Sequence, residues 1–446
     1  MTMVAFLQAS NCSNYTGSWR HPLTRGNFLS AEYYQDIART LEQGKFQLVF
    51  MDDRLALPDI YGNDTDAAVR HGIRPIKLDL TAVLSFMAAA TRSLGLGATY
   101  STTYYNPFHI ARTFATLDHL TGGRAAWNIV TSLNDAEAHN FGYTEHGDHD
   151  LRYDKADEFL EVVTGLWDSW EQDAIVYARG EGTFADPAKV HRLNHAGKWF
   201  QCRGPLTVPR CPQGHPVLIQ AGQSGRGRKF AGRWGELIFV LLPNLEMARD
   251  VYRDIKAAAQ AVGRDRNAVR VLPAVYVVTA ETENIARDKA QFIESLAHPM
   301  DTLILLSELA NHDFSKYELD EPLSEKTLAT MSGAQSLRDR VVRMSGKASP
   351  TLRDFMTFSG RGTLQELPRF VGSPGKIADQ FEEWLDAEAC DGFVLAATHM
   401  PGSYEDFVRL VVPELQERGL HQADYAGATL RENLRLARPG GGSQVR

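Results

Sequence analysis

The chain has 446 residues, 43% of them apolar and 23% charged, with a formal net charge of −8, proportions ordinary for a globular enzyme. The acidic balance argues against an extended nucleic-acid surface. No apolar run reaches membrane-spanning length, and the opening MTMVAFLQAS lacks the basic region and long apolar segment of a secretory signal; a cytoplasmic protein is expected.

In chain order, Val4 to Leu7 reads as a first strand, followed by the polar, aromatic loop NCSNYTGSWRHP. Ser30 can cap a helix whose apolar face is Tyr33, Tyr34, Ile37, Ala38 and Leu41, and Gly44 stops it. Leu48 to Met51 is a second strand ending in Asp52-Asp53-Arg54, charges costly inside a barrel but natural at its open rim. A helix from about Leu80 to Arg92 leads to a third strand, Leu96 to Tyr100. Ile110, Phe114 and Leu117 recur at helical spacing up to Gly122-Gly123, whose left-handed backbone ends such a helix. Ala125 to Val130 then reads as a short apolar strand of the kind buried on both faces of a parallel sheet. Asn128 interrupts it and needs hydrogen-bond partners, either on a neighbouring strand or on a ligand.

A long excursion, roughly Leu133 to His215, carries a helix around Tyr153 to Trp170. Strand five is Val217 to Gln220, strand six Leu237 to Leu241, and strand seven Val271 to Thr279, with Asn244 capping a helix through Val262. Between about Ala297 and Phe370 the pattern lapses into polar, irregular sequence, which marks an insertion. Ser373-Pro374 restarts a helix with a cap and a first-turn proline, Gly392 to Ala396 is the eighth strand, and a last helix begins near Ser403. Eight strand-helix units over residues 1–438 argue for one α/β domain, a (β/α)8 TIM barrel with long insertions after strands 4 and 7. Residues 439–446 are expected to form a disordered tail.

In such a barrel the strand tips become the candidate site: Asp53, Thr99 to Thr103, Asn128 to Ser132, Ala221 to Ser224 and Ala396 to His399. These are mostly neutral hydrogen-bonding groups. No serine, cysteine or lysine nucleophile stands with its base, and no carboxylates are spaced for a metal. Cys12, Cys202, Cys211 and Cys390 form no CxxC pair or compact spacing, so neither a disulfide framework nor a zinc site is indicated. Such a rim suits a polar heterocycle whose own chemistry does the work. In AGQSGRG, Gly222, Gly225 and Gly227 leave backbone amides uncovered, Ser224 adds a hydroxyl, and Arg226 and Arg228 add charge at a helix start. That is a phosphate cradle in physical terms, or else a flexible turn.

The stretches WRHP, IARTLEQGKF, ATLDHLTGGRAAWNIVTS, AEAHNFG, RYDKADEFLEVV, KVHRLNHAGKWF, RGPLTVPRCPQGHPVLIQAG and PELQERGL together resemble the flavin-dependent monooxygenases of the bacterial-luciferase-like superfamily. The branch they resemble includes nitrilotriacetate, EDTA, dibenzothiophene-sulfone and long-chain alkane monooxygenases. The resemblance spans nearly the whole chain and is weakest between about Ala297 and Phe370. It implies that Asp53, Thr99, His149, Tyr153 and Ser224 hold reduced FMN, with Asn128 and Ser132 facing the isoalloxazine and the amides of Ala221 and Gly222 near the phosphate. It further implies a two-component reaction. A separate NAD(P)H-dependent reductase delivers reduced FMN as a co-substrate, and O2 adds to the flavin to give the oxidant. The barrel mouth shields that oxidant from water. No residue is assigned as a general acid or base.

The wording of FLSAEYYQDIARTLEQGKF, ATYSTTYYNPFH and TSLNDAEAHNFG looks nearest the sulfone-cleaving enzymes, which implies carbon–sulfur bond cleavage in a small xenobiotic. Arg54, His71, Arg74 and Lys77 could instead form a cationic mouth for an aminopolycarboxylate, with carbon–nitrogen cleavage. A flavin-binding protein without turnover is a third reading. Cys12, Tyr61 and His312 are expected to neighbour the substrate pocket, and the family is usually dimeric or tetrameric.

Overall fold

Runs buried on both faces lose the alternation of a half-exposed strand and read as continuous apolar sequence. Eight of them form parallel strands: β1 (Thr2–Gln8), β2 (Leu48–Asp52), β3 (Gly95–Ser101), β4 (Ala125–Val130), β5 (Val217–Gln220), β6 (Leu237–Val240), β7 (Arg270–Thr279) and β8 (Gly392–Ala396). Each pairs with the next in chain order and β8 returns to β1, closing the barrel expected from the sequence. The computed structural model describes residues 1–440 apart from Leu133, Gln223, Ser332 and Ala334. A further short strand, Arg369–Gly372, pairs with the second half of β7, so regular structure resumes two residues before the end expected for the insertion.

The barrel interior is filled by Val4, Phe6, Leu48, Phe50, Ala126, Ile219, Phe239 and Tyr276, among others. Phe6, Phe50 and Phe239 meet with ring centroids 5.0 to 5.4 Å apart. Gly97 belongs to the same layer, because a Cβ there would lie 2.8 Å from that of Phe50. The opposite faces of the strands pack on the surrounding helices: α1 (Ala31–Gln43), α2 (Leu80–Ala90), α3 (Pro107–Leu120), α4 (His149–Trp167), α5 (Gly225–Trp234) and α6 (Leu245–Ala261). A further helix, α7 (Glu283–Ser295), lies against β7 and the strand Arg369–Gly372. Ser30 and Asn244 cap α1 and α6 as their sequences imply. At the helix Pro374–Asp386, Ser373 holds the cap position but makes no side-chain cap bond, leaving Pro374 as the start signal.

The first insertion holds α4 and two small antiparallel hairpins. The second corrects the expectation of irregular sequence. It is helical, with α8 (Pro299–Ala310) followed by helices Glu325–Thr330, Gln335–Ser345 and Leu352–Ser359. Its own apolar cluster includes Leu306, Phe314, Leu328, Val341 and Phe355. Glu325–Thr330 and Leu352–Ser359, 6 and 8 residues long, offer too few turns to show a period; caps mark the insertion's helices instead, with reciprocal capping boxes at His298 and Thr351. At the tail, the Pro439 carbonyl accepts from Arg210 Nη2 at 2.9 Å, so the chain is held at least this far. Residues 441–446 lie outside the described residues. Among the described residues no helix is long and apolar enough to cross a membrane.

Candidate active site

Side chains alternate along a strand, so a residue two beyond an axial one is axial too. Phe6, Phe50, Gly97 and Ala126 therefore place Gln8, Asp52, Thr99 and Asn128 over the barrel interior at the carboxyl ends of β1 to β4. Gln8 and Asp52 did not figure among the site residues sought in the sequence, although the alternation from Val4 and Leu48 could have found them. Lys77 Nζ joins them, donating to Asp52 Oδ1 at 2.6 Å and Gln8 Oε1 at 3.1 Å.

Thr99 donates to the Met51 carbonyl at 2.6 Å and accepts from Asn128 Nδ2 at 2.8 Å. The structural hydrogen bond considered for Asn128 is thus present, but it uses only the amide's donor side; Oδ1 is buried with no partner. Beyond β4, Ser132 adopts φ +63° and its hydroxyl donates to Ser101 Oγ at 2.9 Å. Asp53 follows β2, and its Oδ1 accepts from the Arg54 amide at 2.8 Å. Burial pushes its carboxyl up to about 6, a shift that Lys77 opposes. The Arg54 side chain turns away from Asp53; its Nη1 reaches Glu308 Oε2 in the second insertion at 3.0 Å.

The other half of the site lies at the exit of β5. Ser224 caps α5 by accepting from the Gly227 amide at 3.0 Å, and its Oγ lies 3.4 Å from His149 Nε2. The exposed His149 also meets Asp150 Oδ1 through Nδ1 at 2.7 Å. Tyr153 is buried one turn further along α4, its hydroxyl beside the side chains of Gln220 and Thr131. The backbone of Gly222 passes so close that a Cβ would sit 2.6 Å from Tyr153 Oη and 3.0 Å from Gly227 Cα. Gln223 of the same loop lies outside the described residues. Arg226 and Arg228 are not aimed at this cradle. Arg226 pairs with Asp154 and Asp157 of α4, and Arg228 with Asp254 of α6, because the helical phase after Ser224 carries both toward neighbouring helices.

Asp53, Thr99, Asn128, Ser132, Tyr153, Ala221, Gly222 and Ser224 thus follow consecutive strands, β2 to β5, around one arc of the mouth. The weaker substrate candidates scatter. Cys12 is buried in the loop after β1, and burial pushes its thiol up. Tyr61 packs with Ile304 and Leu305 of α8, and His312 turns into the insertion, 3.1 Å from Tyr317 Oη. The proposed cationic mouth disperses as well. Arg54 is paired with Glu308 and Lys77 with Asp52. Arg74 donates to the Asn14 carbonyl at 2.9 Å, and His71 stacks on His298 with its pKa lowered by burial. Among the described residues no group of His, Cys, Asp and Glu could hold a metal ion.

A closed parallel barrel with hydrogen-bonding side chains and a glycine-lined helix start gathered at the carboxyl ends of its strands has the architecture of a (β/α)8-class enzyme. Residues 3–389 match the luciferase-like monooxygenase family model. The chain is 45% identical to the dibenzothiophene-sulfone monooxygenase of Rhodococcus erythropolis, covering 98% of this chain and 97% of that one. It is 40% identical to nitrilotriacetate monooxygenase component A of Aminobacter aminovorans, covering 95% and 94%. Riboflavin lyase RcaE, solved with modified FMN and riboflavin, superposes with a TM-score of 0.88 at 33% identity, covering 97% and 95%. The chain belongs to the luciferase-like monooxygenase family, whose members are flavin-dependent.

Proposed function

We propose that this protein binds reduced FMN and uses dioxygen to oxidise a small organosulfur compound of the sulfone type, cleaving a carbon–sulfur bond. The observation that carries the flavin assignment is Asn128 Oδ1, a buried acceptor without a partner beside a cradle that a Cβ would fill. A flavin ring N–H suits the first and its phosphate the second. Ser224, His149, Tyr153 and the amides of Ala221 and Gly222 would hold the phosphate end; Asp53, Thr99, Asn128 and Ser132 would line the ring. Reduced FMN supplies the two electrons that activate dioxygen, one oxygen atom entering the substrate and the other leaving as water. The protein's own residues bind, orient and exclude water. A separate NAD(P)H-dependent reductase provides the reduced flavin.

The sulfone reading is favoured by the high identity to a sulfone monooxygenase over almost the full length. The pairing of Arg54 and Lys77 with acids of the same chain weighs against a carboxylate-rich substrate. The test is oxygen uptake with FMN, a flavin reductase and a panel of sulfones, aminopolycarboxylates and chlorinated aromatics, with products read by mass spectrometry. Sulfone-dependent uptake with a desulfurised product is expected. Turnover of aminopolycarboxylates alone would replace the substrate class, and flavin binding without any product would leave a non-catalytic flavin protein.

A further inference from the structure

Helix α8 carries two buried carboxylates seven residues apart, Asp301 and Glu308, with side chains 0% and 2% exposed. Seven residues are two helical turns, so both lie on one face. Each meets an arginine from a barrel loop. Arg20, from the loop after β1, grips Asp301 through both Nη atoms at 2.6 and 2.8 Å. Arg54, from the loop after β2, meets Glu308 at 3.0 Å. Between the two pairs, Ile304 and Leu305 pack on Ala68 and Ile73. These contacts tie the helix to the loops after β1 and β2.

Glu308 does more than pair. Its Oε1 accepts the backbone amides of Asp59 and Ile60, both at 3.1 Å, and its Oε2 also accepts Asn134 Nδ2 at 2.9 Å. Asn134 caps the short helix Asp135–Asn140 through the Glu137 amide, and Glu137 Oε1 takes the Leu55 amide at 3.2 Å. A closed circuit therefore joins the insertion, the loop after β2 and the loop after β4. Arg54 is its pivot, because its own amide fixes Asp53. Stability alone is a weak reason for this arrangement. Burial raises the Glu308 pKa against the pull of Arg54, its position in the last turn of α8 opposes the helix dipole, and a buried ion pair contributes little beyond an apolar replacement.

We propose that Glu308 is a positioning residue for the flavin reaction: through Arg54 it sets Asp53, and through Asn134 and the 59–60 amides it keeps the insertion closed over the reacting flavin. The inference rests on the monooxygenase reading above. Glu308→Gln keeps the shape but offers one acceptor oxygen, so either Arg54 or the paired amides of Asp59 and Ile60 must face an NH2 group. In that variant, amide hydrogen exchange over residues 54–62 should quicken tenfold or more while β1 to β4 stay protected. In the reductase-coupled assay, the hydrogen peroxide formed per product should rise at least fivefold. Arg54→Gln should do the same, and the double variant should be little worse than either. A merely structural role would lower the melting temperature and leave the peroxide-to-product ratio where it was, which would overturn the proposal, as would unchanged exchange. Should Glu308→Gln fail to fold, Glu308→Asp retains the charge one carbon short and is expected to show an intermediate ratio; an unchanged ratio there counts against the proposal equally. If the parent protein turns over nothing on the panel, the monooxygenase reading fails; the exchange comparison, made on the flavin-free protein, still decides the clamp.

Discussion

Asn128 and Thr99 stand opposite one another on β4 and β3, and the amide of one donates to the hydroxyl of the other at 2.8 Å. Because the Thr99 proton is committed to the Met51 carbonyl, only the NH2 side of Asn128 can meet Thr99. The carbonyl oxygen is therefore turned away from Thr99 and stays buried with no partner. Asn128→Leu removes this acceptor at similar volume. Reduced-FMN affinity, read by anaerobic fluorescence titration, should fall about tenfold, which corresponds to about 1.4 kcal/mol. The flavin-free protein should melt no lower than the parent, because an unsatisfied buried polar group has gone. Equal affinity would remove Asn128 from the flavin contacts.

Ser224 caps α5 and lies beside His149, so a negative charge placed there tests the phosphate end. Aspartate is as good a cap as serine, and Ser224→Asp should leave the melting temperature within a degree or two. It should weaken reduced FMN binding tenfold or more by repulsion of the phosphate. Reduced riboflavin, which has no phosphate, is the control and should bind the two proteins alike. Parallel loss of both ligands would mean that the cradle holds some other part of the flavin.

The barrel was legible because its strands are buried on both faces: Ala125 to Val130, Val217 to Gln220 and Gly392 to Ala396 begin and end where their apolar runs do. The insertion after β7 was not, since Leu306, Phe314, Leu328 and Phe355 contribute one contact layer from several short helices and show no period in any one of them. Charges were the least readable feature. Arg54 stands next to an aspartate in sequence but pairs with Glu308, 254 residues away. Arg226 sits in a glycine-rich loop motif yet pairs with acids of α4. Side chains this long choose partners by packing, and neighbours in sequence say little about them. The Asp301 and Glu308 spacing on one helix face was the signal that could have marked α8 as more than a surface helix.

Asp53 gives the protein a pH signature. Its folded pKa, pushed up to about 6 by burial, exceeds that of an unfolded chain, about 3.9. A carboxyl raised on folding contributes stability that is fully present below the unfolded value and is lost as pH rises through the folded one. Relative to Asp53→Asn, the flavin-free parent should therefore lose about 2 kcal/mol between pH 4.5 and 7.5. Urea midpoints of the two proteins across that range measure it. Parallel curves would show that Asp53 ionises normally in the folded chain.

The second insertion should open without the barrel. Asp301 is fully buried and serves both as the partner of Arg20 and, by accepting the His298 amide at 3.1 Å, in the capping box of α8. Removing one member of a buried ion pair costs about 3–5 kcal/mol, and Asp301→Ala also takes away a cap bond of about 1 kcal/mol. Yet the insertion packs around its own cluster of Leu306, Val341 and Phe355, separate from the barrel interior, so the cost falls on the seam between them. Limited trypsin digestion of Asp301→Ala should cut within residues 316–361 at least tenfold faster than in the parent, and the cut chain should keep the parent's far-ultraviolet dichroism from the barrel. If instead the variant loses barrel and insertion together in one transition, α8 is an integral wall of the barrel, and closure by Glu308 would have to be sought in the loops after β2 and β4 alone.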